Sequence, residues 1–213
     1  MGRSETGCQL YLIVPAYKTQ DMIFQLAKSG CFDALACVLL QSGPDEKVSH
    51  GHAEILLRFT QAAGIPLLLE NDIYAAAELG ADGVHIPGVE SLYGAARSAL
   101  GGEAIIGVDC GLSRHTGLRL GEMGADYTAF KASADAAPGG TESGLEEMIV
   151  WWSEFVTIPS VAWNISGADD ARRLSDAGAD FIAMGEAIWT HSAGPASAVA
   201  QFSASFAGQQ DSG

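Results

Sequence analysis

The tripeptide Gly-Ala-Asp occurs three times, at Gly80-Ala81-Asp82, Gly124-Ala125-Asp126 and Gly178-Ala179-Asp180. Each copy follows a helix-like stretch (IYAAAEL, LRLGEM, ARRLSDA) and precedes a strand-like one (GVHI, YTAF, FIAM). A weaker relative, Gly30-Cys31-Phe32-Asp33, stands before ALACVLL. Glycine tolerates the left-handed backbone that ends a helix, and the Asp then opens a strand. A recurrent helix-to-strand turn means repeated βα units, which leaves few architectures open.

Strand patterns fall at 10–16, 34–40, 65–69, 82–86, 104–108, 126–130, 159–163 and 181–185. Helical patterns fall near 20–29, 50–63, 73–79, 91–100, 113–123, 144–156, 168–177 and 195–206. This alternation predicts an α/β chain folded as a single (β/α)8 TIM barrel, rather than an open doubly wound sheet. One domain is expected over 1–207, with 208–213 a disordered tail and the small polar run 132–143 a mobile loop.

The clearest single unit is 64–88, GIPLLLENDIYAAAELGADGVHIPG. An apolar run, Leu67-Leu68-Leu69, breaks at Glu70-Asn71-Asp72, and a second strand ends at Pro87-Gly88. Polar residues therefore gather at strand ends, where parallel α/β folds bind ligands.

Composition narrows the partners. Eleven basic residues against 26 acidic ones leave a net charge of −15, which argues against nucleic acid or an anionic membrane as partner. Apolar residues make up 48% of the chain and charged ones 17%, enough for a sizeable core. Cys8, Cys31, Cys37 and Cys110 lack CxxC spacing and read as reduced thiols. The apolar run Leu10 to Val14 is too short for a secretory signal, and nothing reaches the length of a membrane span. A cytoplasmic protein is the expectation.

The residues at the strand ends are Tyr17, Lys18, Gln41, Glu70, Asn71, Asp72, His85, Asp109, Cys110, Lys131, Trp163, Asn164 and Glu186. Asp72 beside Asn71, with Glu90, offers hard oxygen ligands suited to Mg²⁺. By spacing alone Asp72 is better read as the cap of the helix at 73–79. His85 is either an acid/base or a hydrogen-bonded core residue. Lys131 ends an apolar strand and points toward the mouth, as a catalytic ammonium or half of an ion pair. Ser49-His50-Gly51-His52 lies at a helix start away from the strand ends and reads as surface loop rather than a metal pair, and Trp151-Trp152 as helix packing.

With these residues in place, the chain resembles the thiamine phosphate synthase and thiazole tautomerase family. The matching stretches are LYLIVP, residues 64–88, IIGV at 105–108, GADYTAF, GL at 144–145, IPSVAW and AGADFIAMGEAI. The resemblance implies a TIM barrel of thiamine biosynthesis that joins an aminopyrimidine diphosphate to a thiazole phosphate, releasing pyrophosphate with Mg²⁺ as cofactor. It implies that Asn71 reaches the diphosphate, that Asp72 and Glu90 hold the metal, and that His85 matches the family's His. A small-molecule ligand at the barrel mouth and a homodimer are its implied partners.

Elsewhere the pattern departs. The family's Gln-x-Arg-x-Lys at the end of strand two meets Ala36, Val38 and Leu40 or their neighbours, and its Arg after Asn-Asp is Ile73. Its Ser-Thr-His becomes Asp109-Cys110-Gly111, and its Thr-x-Thr-Lys becomes ASADAAPGG. The Gly-Gly closing strand seven is Trp163-Asn164, and the Ser after strand eight is Glu186, which reads as occupying the anion site and capping the helix itself. A carboxylate about 4 Å from a phosphate charge costs on the order of 4 kcal/mol at an effective dielectric near 20. That is roughly a thousandfold in affinity.

These departures predict a divergent member with weak or absent synthase turnover. The alternatives are a thiazole tautomerase-like enzyme, with His85, Asp109 or Lys131 carrying protons and His115 nearby, and a non-catalytic ligand-binding or regulatory barrel. In the last, Trp163, Asn164 and the acids recognise an uncharged or cationic ligand.

Overall fold

A computed structural model describes residues 7–43, 45, 47–132 and 141–206. Eight parallel strands close in sequence order: β1 (Gln9–Val14), β2 (Leu35–Leu40), β3 (Leu67–Glu70), β4 (Gly83–Pro87), β5 (Ile105–Asp109), β6 (Tyr127–Phe130), β7 (Ser160–Ala162) and β8 (Phe181–Met184). Pairing of β8 with β1, Phe181 opposite Gln9, completes the barrel.

The outer helices are α1 (Gln20–Lys28), α2 (His50–Ala63), α3 (Ile73–Leu79), α4 (Glu90–Leu100), α5 (Arg114–Glu122), α6 (Thr141–Phe155), α7 (Ala168–Asp176), α8 (Glu186–Trp189) and α9 (Pro195–Phe206). The one-turn helix α8 and a 3₁₀ turn over Cys31–Ala34 carry no amphipathic period, being too short to show one. Residues 133–140 of the small polar run, and the tail at 208–213, lie outside the described residues; 141–143 belong to α6 rather than to a loop.

The Gly-Ala-Asp turns do more than open strands. Gly80, Gly124 and Gly178 have φ of 69°, 99° and 100°, the left-handed region that L side chains resist. The Asp that follows reaches sideways to the preceding strand. Asp82 Oδ2 accepts from Leu67 N, Asp126 Oδ2 from Ile106 N and Asp180 Oδ2 from Ser160 N, each at 2.8 Å. Three strand pairs, β3–β4, β5–β6 and β7–β8, are thus pinned at their N-terminal ends by one repeated device. Arg97 reinforces the middle one, 2.8 Å from Asp126 Oδ2.

Both faces of the sheet are buried. Leu10, Leu12 and Val14 pack under the helices, whereas Tyr11 and Ile13 point into the barrel. In β2 the inward residues are Cys37 and Leu39; Val38 and Leu40 lie on the helix side, so they line no mouth. The interior alternates bulk with space: Tyr11, Tyr127 and Phe181 against Ala129 and Ala183. Gly107 continues this, since a methyl there would fall on the Tyr127 ring. Such layers are how an eight-stranded barrel fills itself.

Candidate active site at the barrel mouth

Local chemistry aims the strand ends. Asp72 caps α3: its Oδ1 accepts from Ala75 N at 3.0 Å, and its Oδ2 accepts from Val48 N at 3.2 Å, tying the loop after β2 to the end of β3. Glu70 Oε2 accepts from the backbone N–H (3.1 Å) and hydroxyl (3.2 Å) of Ser42 in the same loop. Asn71 and Asn164 turn the chain out of β3 and β7 in the left-handed conformation, φ 57° and 58°. Their backbones stay laddered through neighbours, Asn71 N on His85 O and Ile165 N on Ala183 O, each 3.0 Å. Asn tolerates this backbone better than other non-glycine residues. Asn164 therefore keeps a bend that glycine would make, although it adds a side chain.

Below the rim lies a hydrogen-bonded line of buried side chains. The Tyr11 and Tyr127 hydroxyls are 2.9 Å apart, and the Tyr127 hydroxyl is 3.0 Å from His85 Nδ1. Burial depresses the His85 imidazole to about 4, with Asp109 opposing that shift and Lys131 adding to it. Burial likewise holds both phenols well above the ordinary tyrosine range. At neutral pH His85 is an uncharged hydrogen-bonding group. Trp163 stacks on it, ring centroids 4.2 Å apart and planes 11° from parallel, so the indole closes the barrel over the imidazole.

One ion pair and one phenol–carboxylate hydrogen bond dress the mouth. Lys131 Nζ meets Asp109 Oδ2, while Asp109 Oδ1 accepts from Gly111 N at 2.9 Å. Glu186 does not cap α8; its Oε2 accepts from the Tyr17 hydroxyl across the rim, and no side chain caps that single turn. Lys18 is buried, its ammonium 4.5 Å from the Tyr17 ring centre and 5.6 Å from that of Trp189. Cys110, beside Asp109, has a thiol pushed up to about 12 by burial, which makes it a poor nucleophile.

Beside Trp163 opens a cleft of about 620 Å³, with Lys131, Asn164, Ser166 and Arg173 at its polar edge and Leu112, Leu145 and Leu174 on its walls. Arg173 is tied to Glu146 and to Asp170. The structure thus gathers His85, Asp109, Lys131, Trp163 and Asn164 on the β4–β7 arc. Glu186 stands with Tyr17 across the β1–β8 seam.

Glu90 leads away from the mouth. Its two carboxylate oxygens sit 3.0 and 3.3 Å from the guanidinium of Arg119 on α5. With Asp72 holding two backbone N–H groups and Glu90 neutralised by Arg119, these donors as arranged do not fit a Mg²⁺ cage. Among the described residues no three His, Cys, Asp or Glu side chains cluster as a metal site. His52 is not in a loop: it lies buried in the first turn of α2, its Nδ1 without a hydrogen bond. Trp152 packs in the core and donates to Ile158 O at 2.8 Å, as its helical spacing suggests.

Tyr11, Tyr127 and Arg173 escaped the sequence reading. The tyrosines sit in runs where both faces are apolar, so the only signal was period-two alternation through Tyr11 and Ile13, which a fully buried strand hides. Arg173 gave none beyond membership of a helix.

Similarity to known proteins agrees with this geometry. A family model described as thiamine monophosphate synthase matches residues 10–188. A thiamine-phosphate synthase of Rhodospirillum centenum is 39% identical over 204 residues, covering 92% of this chain and 97% of that protein. One from Erythrobacter litoralis is 35% identical, covering 89% and 92%. Among solved structures, thiamine phosphate pyrophosphorylase from Pyrococcus furiosus superposes with a TM-score of 0.73 at 19% identity, over 94% of this chain and 96% of that one, which speaks to the fold. A closed barrel with its polar residues at the strand ends, and a match along nearly its whole length, place the chain in the thiamine monophosphate synthase family.

Proposed function

We propose that this barrel is a divergent member of its family: it keeps a small-molecule site at the mouth, gives weak or absent synthase turnover, and takes an uncharged or cationic heteroaromatic ligand in place of a polyanion. The observation that carries the reading is the Trp163–His85 stack, an indole filling the mouth where the family resemblance expects bare glycine backbone. The charge inventory supports it. Lys131 is spent on Asp109, Arg173 on Glu146 and Asp170, and Lys18 lies buried under aromatic rings. Joining the two substrates requires electrostatic stabilisation of a departing pyrophosphate, and preorganised cations are what such stabilisation needs. The rim also presents Glu186, whose partner is the neutral Tyr17 hydroxyl and which repels that charge.

The name shared by relatives 35–39% identical favours a second reading, ordinary synthase activity reached with another set of side chains. One assay separates them. Purified protein with the aminopyrimidine diphosphate, the thiazole phosphate and Mg²⁺ should form no thiamine phosphate at rates usual for enzymes. Calorimetry with pyrophosphate and Mg²⁺ should register no tight binding, whereas thiamine should raise the melting temperature. Turnover on the scale of seconds, or tight pyrophosphate uptake, overturns the proposal. A tautomerase-like reaction would appear instead as isomerisation of a thiazole carboxylate phosphate, lost in His85→Gln.

A further inference from the structure

We propose that Tyr127 is a positioning residue: it donates its hydroxyl proton to His85 Nδ1, and so fixes the imidazole as the Nε2–H tautomer with an uncharged N–H donor presented at the barrel mouth. The proposal rests on His85 belonging to the mouth site described above, and adds what that residue offers a ligand.

Two proton arrangements fit the line of side chains. In one, Tyr11 donates to Tyr127 and Tyr127 donates to Nδ1. In the other, Nδ1–H donates to Tyr127, Tyr127 to Tyr11, and Tyr11 to the thiol of Cys37, which the Tyr11 phenol touches. The second chain ends on a sulfur, a weak acceptor. It also sets the weaker donor, an imidazole N–H, against the weaker acceptor, a phenol oxygen. The first puts the more acidic donor, a phenol O–H, on the more basic acceptor, an imidazole nitrogen. The first arrangement therefore prevails, and Cys37 can give its own S–H to Val38 O, 3.7 Å away.

Nε2 is then the free end. It makes no hydrogen bond among the described residues, yet the only fully buried unpartnered side-chain nitrogen or oxygen among them is His52 Nδ1. Nε2 thus keeps a trace of accessible surface, although His85 as a whole is 4% exposed and lies under the Trp163 ring at the mouth end of β4. The charged groups that act on it are Asp109 and Lys131, already paired with each other. The tyrosines behind it stay protonated, because burial resists their charge. No proton can leave through the barrel interior without stranding a phenolate or thiolate there. His85 consequently serves as a fixed neutral donor, suited to a ring nitrogen, carbonyl or ether oxygen of a ligand, and not as a proton shuttle.

The test is the tautomeric state of His85 in the ligand-free protein, read from side-chain ¹⁵N–¹H correlations of histidine-labelled samples and assigned with His85→Gln. The wild-type protein should show Nε2–H in excess by roughly tenfold, reflecting the better match of a phenol O–H on an imidazole nitrogen and the avoided sulfur acceptor. Tyr127→Phe should lose that excess and show both tautomers, which a purely space-filling Tyr127 would not produce. Tyr11→Phe should leave Nε2–H dominant, since Tyr127 keeps its donor. Nδ1–H in the wild-type protein, or an unchanged ratio in Tyr127→Phe, overturns the proposal. Should Tyr127→Phe fail to fold, the wild-type spectrum and Tyr11→Phe still decide: an Nδ1–H wild type that becomes Nε2–H in Tyr11→Phe would establish the reversed chain. Neither measurement depends on synthase turnover, so the two proposals stand or fall separately.

Discussion

Adding one methyl group at Gly107 should be among the most damaging small changes in the barrel. An ideal Cβ there lies 1.8 Å from Tyr127 Cζ and 2.3 Å from both Cε atoms, well inside the ~3.5–4 Å of normal carbon contacts. The ring has nowhere to retreat, because Tyr127 is 1% exposed and its hydroxyl is held at 2.9 Å by Tyr11 and 3.0 Å by His85. Overpacking a core by a methylene costs about 1–3 kcal/mol. Displacing the ring also breaks two buried hydrogen bonds, at about 1 kcal/mol each. Gly107→Ala should therefore destabilise by about 3–5 kcal/mol, a fall in melting temperature of roughly 6–20 °C for a domain of this size. The assay is urea unfolding of Gly107→Ala, Tyr127→Leu and the double variant. Leucine leaves room for the methyl, so in that background Gly107→Ala should cost about 1 kcal/mol or less, a coupling of about 2 kcal/mol or more. Additive losses, or a single variant within 1 kcal/mol of wild type, would refute the account of the interior layer.

His85 also makes stability depend on pH. Its folded value, about 4, lies below the ordinary 6.5, so between these the unfolded chain binds the extra proton and stability must fall as pH drops through that window. The loss should reach about 3 kcal/mol near pH 4 and be absent above pH 7, and His85→Gln should flatten this part of the curve measured by urea unfolding. At the base of the barrel, Asp126→Ala leaves Ile106 N–H without its acceptor and takes from Arg97 its carboxylate, the guanidinium keeping only backbone carbonyls and the Tyr93 hydroxyl, whereas Asp82→Ala leaves only Leu67 N–H. The former should cost about 2–3 kcal/mol and the latter about 1–2, by the same measurement; equal losses would remove Arg97 from the account.

The amino-acid sequence alone determined the barrel. The turns that punctuate it are local: the glycine of each Gly-Ala-Asp, the Ser, Thr and Asp caps at Ser49, Thr19, Ser113 and Asp72, and apolar runs of strand length between them. Each signal acts within a few residues, so no knowledge of distant chain was needed to place elements to within a few positions. The cap at Asp72 was legible for the same reason. Only the tertiary structure decided which face of each strand looks inward, because strands buried on both sides show no polar alternation. That choice puts Tyr11, Tyr127 and His85 in one line, and turns Cys37 and Leu39 inward where Val38 and Leu40 were equally apolar. It also decided the charge balance of the mouth. Asp109 and Lys131 are 22 positions apart, and Tyr17 and Glu186 are 169 apart. Their pairing follows from closure of the sheet, a long-range event that no local pattern encodes.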